Sequence, residues 1–330
     1  MSVLQFPLNH LKLPIIGAPM FLVSQPNLVI AQCCAGICGT FPAINARPQS
    51  ELKKWIQLIK AECKNFQQLN PTKKVAPFGV NLVALESNKR LQQDLEICIE
   101  EKVPIIITSM KPPTDVVKAV HSYGGLHFHD VINRRHALKA IEAGVDGLIL
   151  VCNGAGGHAG NLNPFAFLSE IRQIYDGIII LAGCISTGKD ILASQILGAD
   201  LVYMGTRFIA TTQANAVDDY KNMIIKSNSN DIIYTPEFTG VSANFLKKSI
   251  EKMGINPNKV ASHSQKKPNK LWLYYKHWKM KKIKKWKDLW SAGQGVSSIH
   301  TIETVETCID TLYTQYKAAI EHVDVHRNIH

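Results

Sequence analysis

The run Asn153-Gly154-Ala155-Gly156-Gly157-His158-Ala159-Gly160 places one titratable side chain in a frame of four glycines. Each glycine costs backbone entropy and buries no side chain, so the stretch is neither helix nor strand interior. It leaves room for something flat to lie close to the backbone. A histidine at the end of such a loop is placed to act as a base or a hydrogen-bond donor, because its ordinary pKa lies near neutrality. Two further loops, Gly183-Cys184-Ile185-Ser186 and Gly205-Thr206-Arg207-Phe208, combine glycines with hydroxyls. Glycine lets backbone N–H groups approach phosphate oxygens, and a helix start adds partial positive charge. Gly183, Ser186, Gly205 and Thr206 are therefore candidate phosphate ligands. Gly17-Ala18-Pro19-Met20 and Asn81 mark two other strand ends where chemistry can sit.

Loops this far apart in sequence need a scaffold that gathers them on one face. The first 210 residues alternate short apolar runs with longer amphipathic stretches in eight cycles. The patterns predict strands at 13–18, 36–40, 75–82, 105–109, 126–130, 147–152, 178–183 and 201–204, with helices in the gaps at 48–66, 87–101, 133–143 and 189–197. Eight β-then-α units with β-branched, buried strands predict an α/β fold, a (β/α)8 TIM barrel rather than an open doubly wound sheet. Active sites of such barrels are built from the loops after the strands. After the eighth strand the pattern breaks into polar turns, a Pro-Glu-Phe-Thr-Gly stretch from Pro236 and lysine-rich helices; a periodic segment returns at 302–319 to close the barrel. The expected organisation is a barrel from 1–213 and 291–330, with 214–290 as a lysine-rich, mainly helical subdomain inserted over the barrel mouth.

A chain that is 46% hydrophobic and 19% charged is neither disordered, collagen-like nor coiled coil. No apolar stretch approaches the roughly 20 residues of a membrane helix, and residues 1–9 lack a basic segment followed by an apolar one. A cytoplasmic protein without a membrane partner is expected. The net charge of +11 is local: between Lys247 and Lys287 stand 14 lysines and the single acid Glu251, giving +13 there and 11 minus 13, about −2, elsewhere. Leu271, Tyr275, Trp278, Trp286 and Trp290 recur among these lysines at helical spacings. They could stack bases, or form an amphipathic pair that lays an aromatic stripe on the barrel while lysine heads stay wet. Lysines outnumber arginines 30 to 7, whereas bidentate phosphate recognition favours Arg. The second reading is preferred and no nucleic-acid partner is expected; a polyanion-binding module remains the remote alternative. The same aromatics could instead form a symmetric homodimer interface.

The eight cysteines form no paired C-x-x-C sets and read as reduced core thiols. Cys34 and Cys38 are spaced like two ligands, but nothing completes a zinc set, and no metal is expected. Cys152 and Cys184 end strands near the candidate site and are assigned packing roles. His121, His127, His129 and His136 cluster around the fifth strand. Alternation puts His127 and His129 on one face, either lining the barrel or packing as polar core, and His129, followed by Asp130, could contribute to the pocket.

Pro14-Ile15-Ile16-Gly17-Ala18-Pro19-Met20, Phe78-Gly79-Val80-Asn81-Leu82, Ala155-Gly156-Gly157-His158, Met204-Gly205-Thr206-Arg207-Phe208 and Trp290-Ser291-Ala292-Gly293-Gln294-Gly295 resemble, in order and spacing, motifs of the nitronate monooxygenases, formerly 2-nitropropane dioxygenases. Those are FMN-dependent TIM barrels that use molecular oxygen to convert alkyl nitronates into carbonyl compounds and nitrite. The resemblance implies that Ala18, Pro19 and Met20 lie along the isoalloxazine and that Asn81 hydrogen-bonds it. It further implies that Gly156 and Gly157 pass close to the cofactor, and that Gly183 and the run Tyr203, Met204, Gly205 and Thr206 hold the phosphate. His158 matches the histidine that binds the nitronate or removes the α-proton of a nitroalkane. Many members read Gln-Gly-x-Glu-Ala-Gly-Gly-His there. This chain is two residues shorter and lacks the acid; Asn153 keeps the amide of the usual Gln on a shorter arm, and the pocket beside His158 is altered. The alternative is the related FMN-dependent enoyl-acyl-carrier-protein reductase, which uses NAD(P)H and has similar Gly-Gly-His and Met-Gly-Thr-Arg-Phe motifs. There the lysine-rich insert would attract an acidic carrier protein.

Overall fold

Short apolar runs of three to seven residues form the strands, because each must bury both faces: one toward a barrel interior, one toward the surrounding helices. The computed structural model describes residues 8–85, 87–111, 114–263 and 284–327. Its main sheet is parallel and eight-stranded. In chain order the strands are β1 (Ile15–Gly17), β2 (Gly39–Pro42), β3 (Phe78–Ala84), β4 (Ile105–Met110), β5 (Leu126–Val131), β6 (Gly147–Val151), a two-residue β7 (Gly157–His158) that lies outside the barrel, β8 (Ile178–Ala182) and β9 (Leu201–Met204). The spatial order is β1-β9-β8-β6-β5-β4-β3-β2. A parallel bridge between Ile16 and Cys38 brings β1 beside β2 and closes the ring. This is the expected TIM barrel, with each of the eight predicted strands in place.

Alternation sorts the side chains. Ile16, Ile105, Ile107, Phe128, Ile149 and Ile180 form one buried cluster inside the barrel, with Leu8 at its base. Their neighbours of opposite parity, such as Leu148, Leu150, Ile179 and Leu181, join the larger core under the helices. Helix α2 (Glu51–Leu69) buries Leu52, Ile56 and Ile59, the i, i+4, i+7 stripe that its sequence shows. Helix α7 (Gly188–Ile196) starts in a reciprocal cap: Asp190 N–H donates to Thr187 Oγ1 (3.3 Å), while Thr187 and Ser186 N–H both donate to Asp190 Oδ2 (2.8 and 2.9 Å). That cap fixes the loop after β8. The closing helix Val305–Arg327 packs so tightly on α7 that a Cβ at Gly188 would come 2.2 Å from the Tyr316 nitrogen.

Parity also settles the histidines. His127 and His129 alternate with the interior Phe128 and face outward, where both reach the buried Thr108 hydroxyl, His127 Nε2 at 3.0 Å and His129 Nδ1 at 2.7 Å. The polar-core reading holds for them, and neither lines the main cavity. Thr108 has one hydroxyl proton, so it can donate to only one ring. His127 Nδ1 is buried and unpartnered, and an unpaired acceptor is tolerated better than an unpaired N–H. The bonding thus assigns His127 as the Nε2–H tautomer donating to Thr108, which in turn donates to His129 Nδ1.

After β9 and the short helix α8 (Thr206–Ile209), the chain leaves the barrel. Helix α9 (Asp218–Ile225) is followed by an antiparallel hairpin, β10 (Ile232–Thr235) and β11 (Ala243–Leu246), and by helices α10 (Lys247–Lys252) and α11 (Pro257–His263). The hairpin is absent from the sequence reading of 214–290. Strand β11 pairs antiparallel with β7, Ala243 opposite His158 and Asn244 opposite Gly157. Phe238, Phe245, Ile250 and Leu289 form the excursion's own buried cluster, against which Trp286 packs. Leu271, Tyr275 and Trp278 of the aromatic stripe lie outside the described residues.

Candidate active site

The C-terminal strand ends surround a cavity of about 480 Å3. From β1 come Ala18, Pro19 and Met20; from β3, Asn81; from the loop after β6, Gly156, Gly157 and His158; from the loop after β8, Gly183 and Ser186; and from β9, Tyr203, Gly205 and Thr206. Two residues expected there are elsewhere. The exposed Asn153 does not line the cavity, because Gly154 turns the chain away with φ of +81° and Asn153 N–H is engaged by the Leu162 carbonyl (2.8 Å). Met204 points into the core under the helices, with only its carbonyl facing β1, where it accepts from Ala18 N–H (2.9 Å). Its parity is opposite to that of the interior Tyr203.

Glycine is required where backbones crowd. Gly183 has φ of +125°, and a Cβ there would lie 3.0 Å from the Asn153 carbonyl. A Cβ at Gly156 would press on Thr206 Oγ1 at 3.1 Å and Gly293 N at 3.0 Å. The Trp290-to-Gly295 motif, some 130 residues downstream, is what holds the histidine strand. Gly157 N–H donates to Ser291 Oγ (2.6 Å), Ser291 Oγ donates to the Asn244 carbonyl (2.6 Å), and Asn244 Nδ2 donates to the Ala155 carbonyl (2.7 Å). Gly293 N–H donates to Thr206 Oγ1 (2.9 Å), tying the same segment to the loop after β9.

His158 is half-buried, and burial holds its pKa below the ordinary value. The Trp286 ring meets it edge-on, with centroids 5.2 Å apart. Its Nε2 lies 3.3 Å from Thr239 Oγ1. The Thr239 hydroxyl donates its one proton to the Val241 carbonyl (2.7 Å), so toward the histidine it can only accept. Nε2 therefore carries the ring proton, and Nδ1 is left with the lone pair.

Several lining residues lie outside the sequence reading of the site. Phe21, Ile44, Leu85, Met110 and Trp286 give the cavity an apolar wall; Asp130 and Ser109 add polar groups. Asp130 stands two residues beyond the interior Phe128, a signal that alternation alone contains. Cys184 also departs from its packing assignment: it is exposed, lines the cavity and has φ of +59°. Met110, Cys184 and Trp286 are three of the five non-glycine residues with positive φ among the described residues, and all three line this cavity. Strain gathered in one place is a mark of functional walls. Among the described residues, no cluster of His, Cys, Asp or Glu is arranged to hold a metal ion, and no helix is long and apolar enough to cross a membrane.

A parallel eight-stranded barrel whose glycine-lined mouth presents one half-buried histidine is an architecture that can hold a flavin in an oxidoreductase. A family model described as nitronate monooxygenase matches residues 5–315, and the chain belongs to that family of flavin-dependent oxidoreductases. Among curated relatives, a (3aS,4S,5R,7aS)-5-hydroxy-7a-methyl-1-oxo-octahydro-1H-indene-4-carboxyl-CoA dehydrogenase of Rhodococcus jostii is 26% identical over 73% of this chain, which spans 65% of that protein's length. A probable nitronate monooxygenase of Staphylococcus aureus is also 26% identical, over 70% of this chain and 74% of its own. Among solved structures, FabK from Thermotoga maritima superimposes with a TM-score of 0.76 at 24% identity, covering 96% of both chains, and shares the fold.

Proposed function

We propose that the protein binds FMN across the barrel mouth and oxidises alkyl nitronates, such as propionate 3-nitronate, with molecular oxygen to a carbonyl compound and nitrite. The carrying observation is His158 itself: a half-buried imidazole on the cavity wall with its Nδ1 lone pair uncommitted. The residues present fit a flavin mononucleotide. Ala18 and Pro19 offer a flat floor, Gly183, Ser186, Gly205 and Thr206 offer a phosphate cradle, and buried polar atoms of Asp130 and Tyr203 stand without partners in the wall. When bound, the flavin supplies the electron transfer and the oxygen chemistry.

The protein's own task is to hold charge. A nitronate is already a carbanion equivalent and needs an electrostatic partner rather than a strong base. When the entering molecule is a neutral nitroalkane, Nδ1 takes its α-proton. The C–H pair then becomes the nitronate, and the resulting imidazolium holds it by a charge-assisted hydrogen bond. Thr239 keeps Nε2–H engaged, so the ring does not need to flip. The apolar wall of Phe21, Leu85, Met110 and Trp286 excludes water from that pair.

The same wall favours a second reading, an FMN-dependent enoyl-thioester reductase using NAD(P)H, because Leu85 and Met110 are large apolar side chains left 37% and 40% exposed at the rim, where an acyl chain could lie. Anaerobic mixing separates the two. The flavin absorption bands of the purified, FMN-reconstituted protein should bleach with propionate 3-nitronate and persist with NADH. Bleaching by NADH alone would establish the reductase, and no bound flavin after reconstitution would refute both.

A further inference from the structure

The barrel interior is apolar up to its last layer. Phe128, Ile149, Ile180 and Ile107 fill it, but the residues one step nearer the mouth on four strands are Asn81, Ser109, Asp130 and Tyr203, and all four line the cavity. Asp130 Oδ1 and the Tyr203 hydroxyl are each buried from solvent with no hydrogen-bond partner. A buried polar atom without a partner costs about 1–3 kcal/mol, and two in one floor mark a surface whose partners arrive with a ligand. The register sets Asp130 beside the apolar Ile149 of β6 and Tyr203 beside Ala182 of β8 and Ile16 of β1.

We propose that Asp130 and Tyr203 are groups that grip an edge of the flavin ring, Asp130 as a neutral carboxylic acid and Tyr203 as a phenol, each donating a hydrogen bond to an acceptor atom of the isoalloxazine. The inference rests on the flavin reading above. The groups facing Asp130 fit a neutral acid. Across the barrel stands the Tyr203 hydroxyl, whose pKa is raised first by burial and then by the neighbouring Asp130 and Cys38 groups, so that the phenol keeps its proton. Thr108 of β4 points outward to the histidines, and Ser109 and Ile149 carry no charge. Burial is the cause that lifts the Asp130 carboxyl, to about 7. An ionised Asp130 would turn a donor into an acceptor facing acceptors, so deprotonation should release the flavin.

The test is FMN affinity of the full chain, followed by quenching of flavin fluorescence from pH 6 to pH 9, in the wild type, Asp130→Asn and Tyr203→Phe. Asn keeps a donor of the same size and cannot ionise. The wild-type Kd should rise at least about tenfold more over that range than the Asp130→Asn Kd, because binding is linked to one proton whose pKa lies inside the window. The phosphate of FMN titrates equally in both proteins and cancels. Tyr203→Phe should weaken FMN about fivefold or more at every pH, the effect of one lost hydrogen bond, and carries the test should Asp130→Asn not fold. Parallel profiles of wild type and Asp130→Asn, or an unchanged Kd in Tyr203→Phe, would overturn the assignment. A wild-type protein that takes up no FMN at any pH would instead overturn the flavin reading.

Discussion

The histidine pair on the outer face of β4 and β5 makes the fold labile to mild acid. His127 and His129 are buried and share the Thr108 hydroxyl, and burial depresses their pKa values to about 3 and about 4. In the unfolded chain each titrates near 6.5. A depressed folded pKa means that the unfolded state binds the proton first, so stability is full above about pH 7.5 and falls as pH drops through 6.5 toward the folded values. Between pH 7.5 and 5.5 each ring changes the unfolding free energy by about 1.4 kcal/mol, about 2.7 kcal/mol for the two, and this depends little on the folded values while they stay below about 4.5. The double variant His127→Gln, His129→Asn places amide atoms where Nε2 and Nδ1 now meet Thr108 and removes the titration. Urea unfolding of both proteins at the two pH values gives the difference directly. The wild type should lose about 2.7 kcal/mol more than the variant on acidification. Equal losses would mean that the rings are protonated, or solvated, in the folded barrel, and the tautomer chain through Thr108 would be wrong.

Replacing His158 by Ala should leave FMN bound while nitronate turnover falls by about two orders of magnitude, the scale for losing a positioned acid–base or charge-stabilising group; unchanged turnover in a folded variant would remove His158 from the chemistry. Because burial lowers the His158 pKa, kcat/KM for a neutral nitroalkane should rise with pH through a midpoint below the ordinary histidine value of about 6.5 and level off above it, where Nδ1 is free to take a proton. For a preformed nitronate the dependence should run the other way, since the imidazolium is the better partner; matching slopes for the two substrates would refute the Nδ1 role. Ser291→Ala strips the acceptor of Gly157 N–H and the donor to the Asn244 carbonyl. It should lower kcat about 10- to 100-fold with KM little changed, as expected when a strand carrying a reacting group loses about 1–3 kcal/mol of support. An unchanged kcat would show that β11 alone positions His158.

The barrel was legible because parallel strands buried on both faces leave continuous apolar runs, such as Leu148 to Val151 and Ile178 to Ala182, that need no partner to be recognised. That same double burial hides which face is which. His127 and His129 could be assigned to a side only once Phe128 was seen inside, and with that assignment Asp130 turns from a neighbour of the histidines into a member of the site. The glycine loops were readable for a related reason, since Gly183 and Gly156 answer to backbone crowding that any chain closing here must meet. What sequence could not convey is pairing at a distance. Strand β7 is two residues long and exists because β11, some 85 residues later, supplies its partners; no local propensity announces it. The Trp290-to-Gly295 motif likewise shows its purpose only in space, where Ser291 and Gly293 bind the loops after β6 and β9 together. The excursion from the barrel is thus part of the site, since it supplies the Trp286 ring against His158, the Thr239 hydroxyl that fixes its tautomer and the strand β11 that pairs with β7, which carries it. Changes in the 214–290 segment should therefore alter the chemistry at His158 as well as access to it.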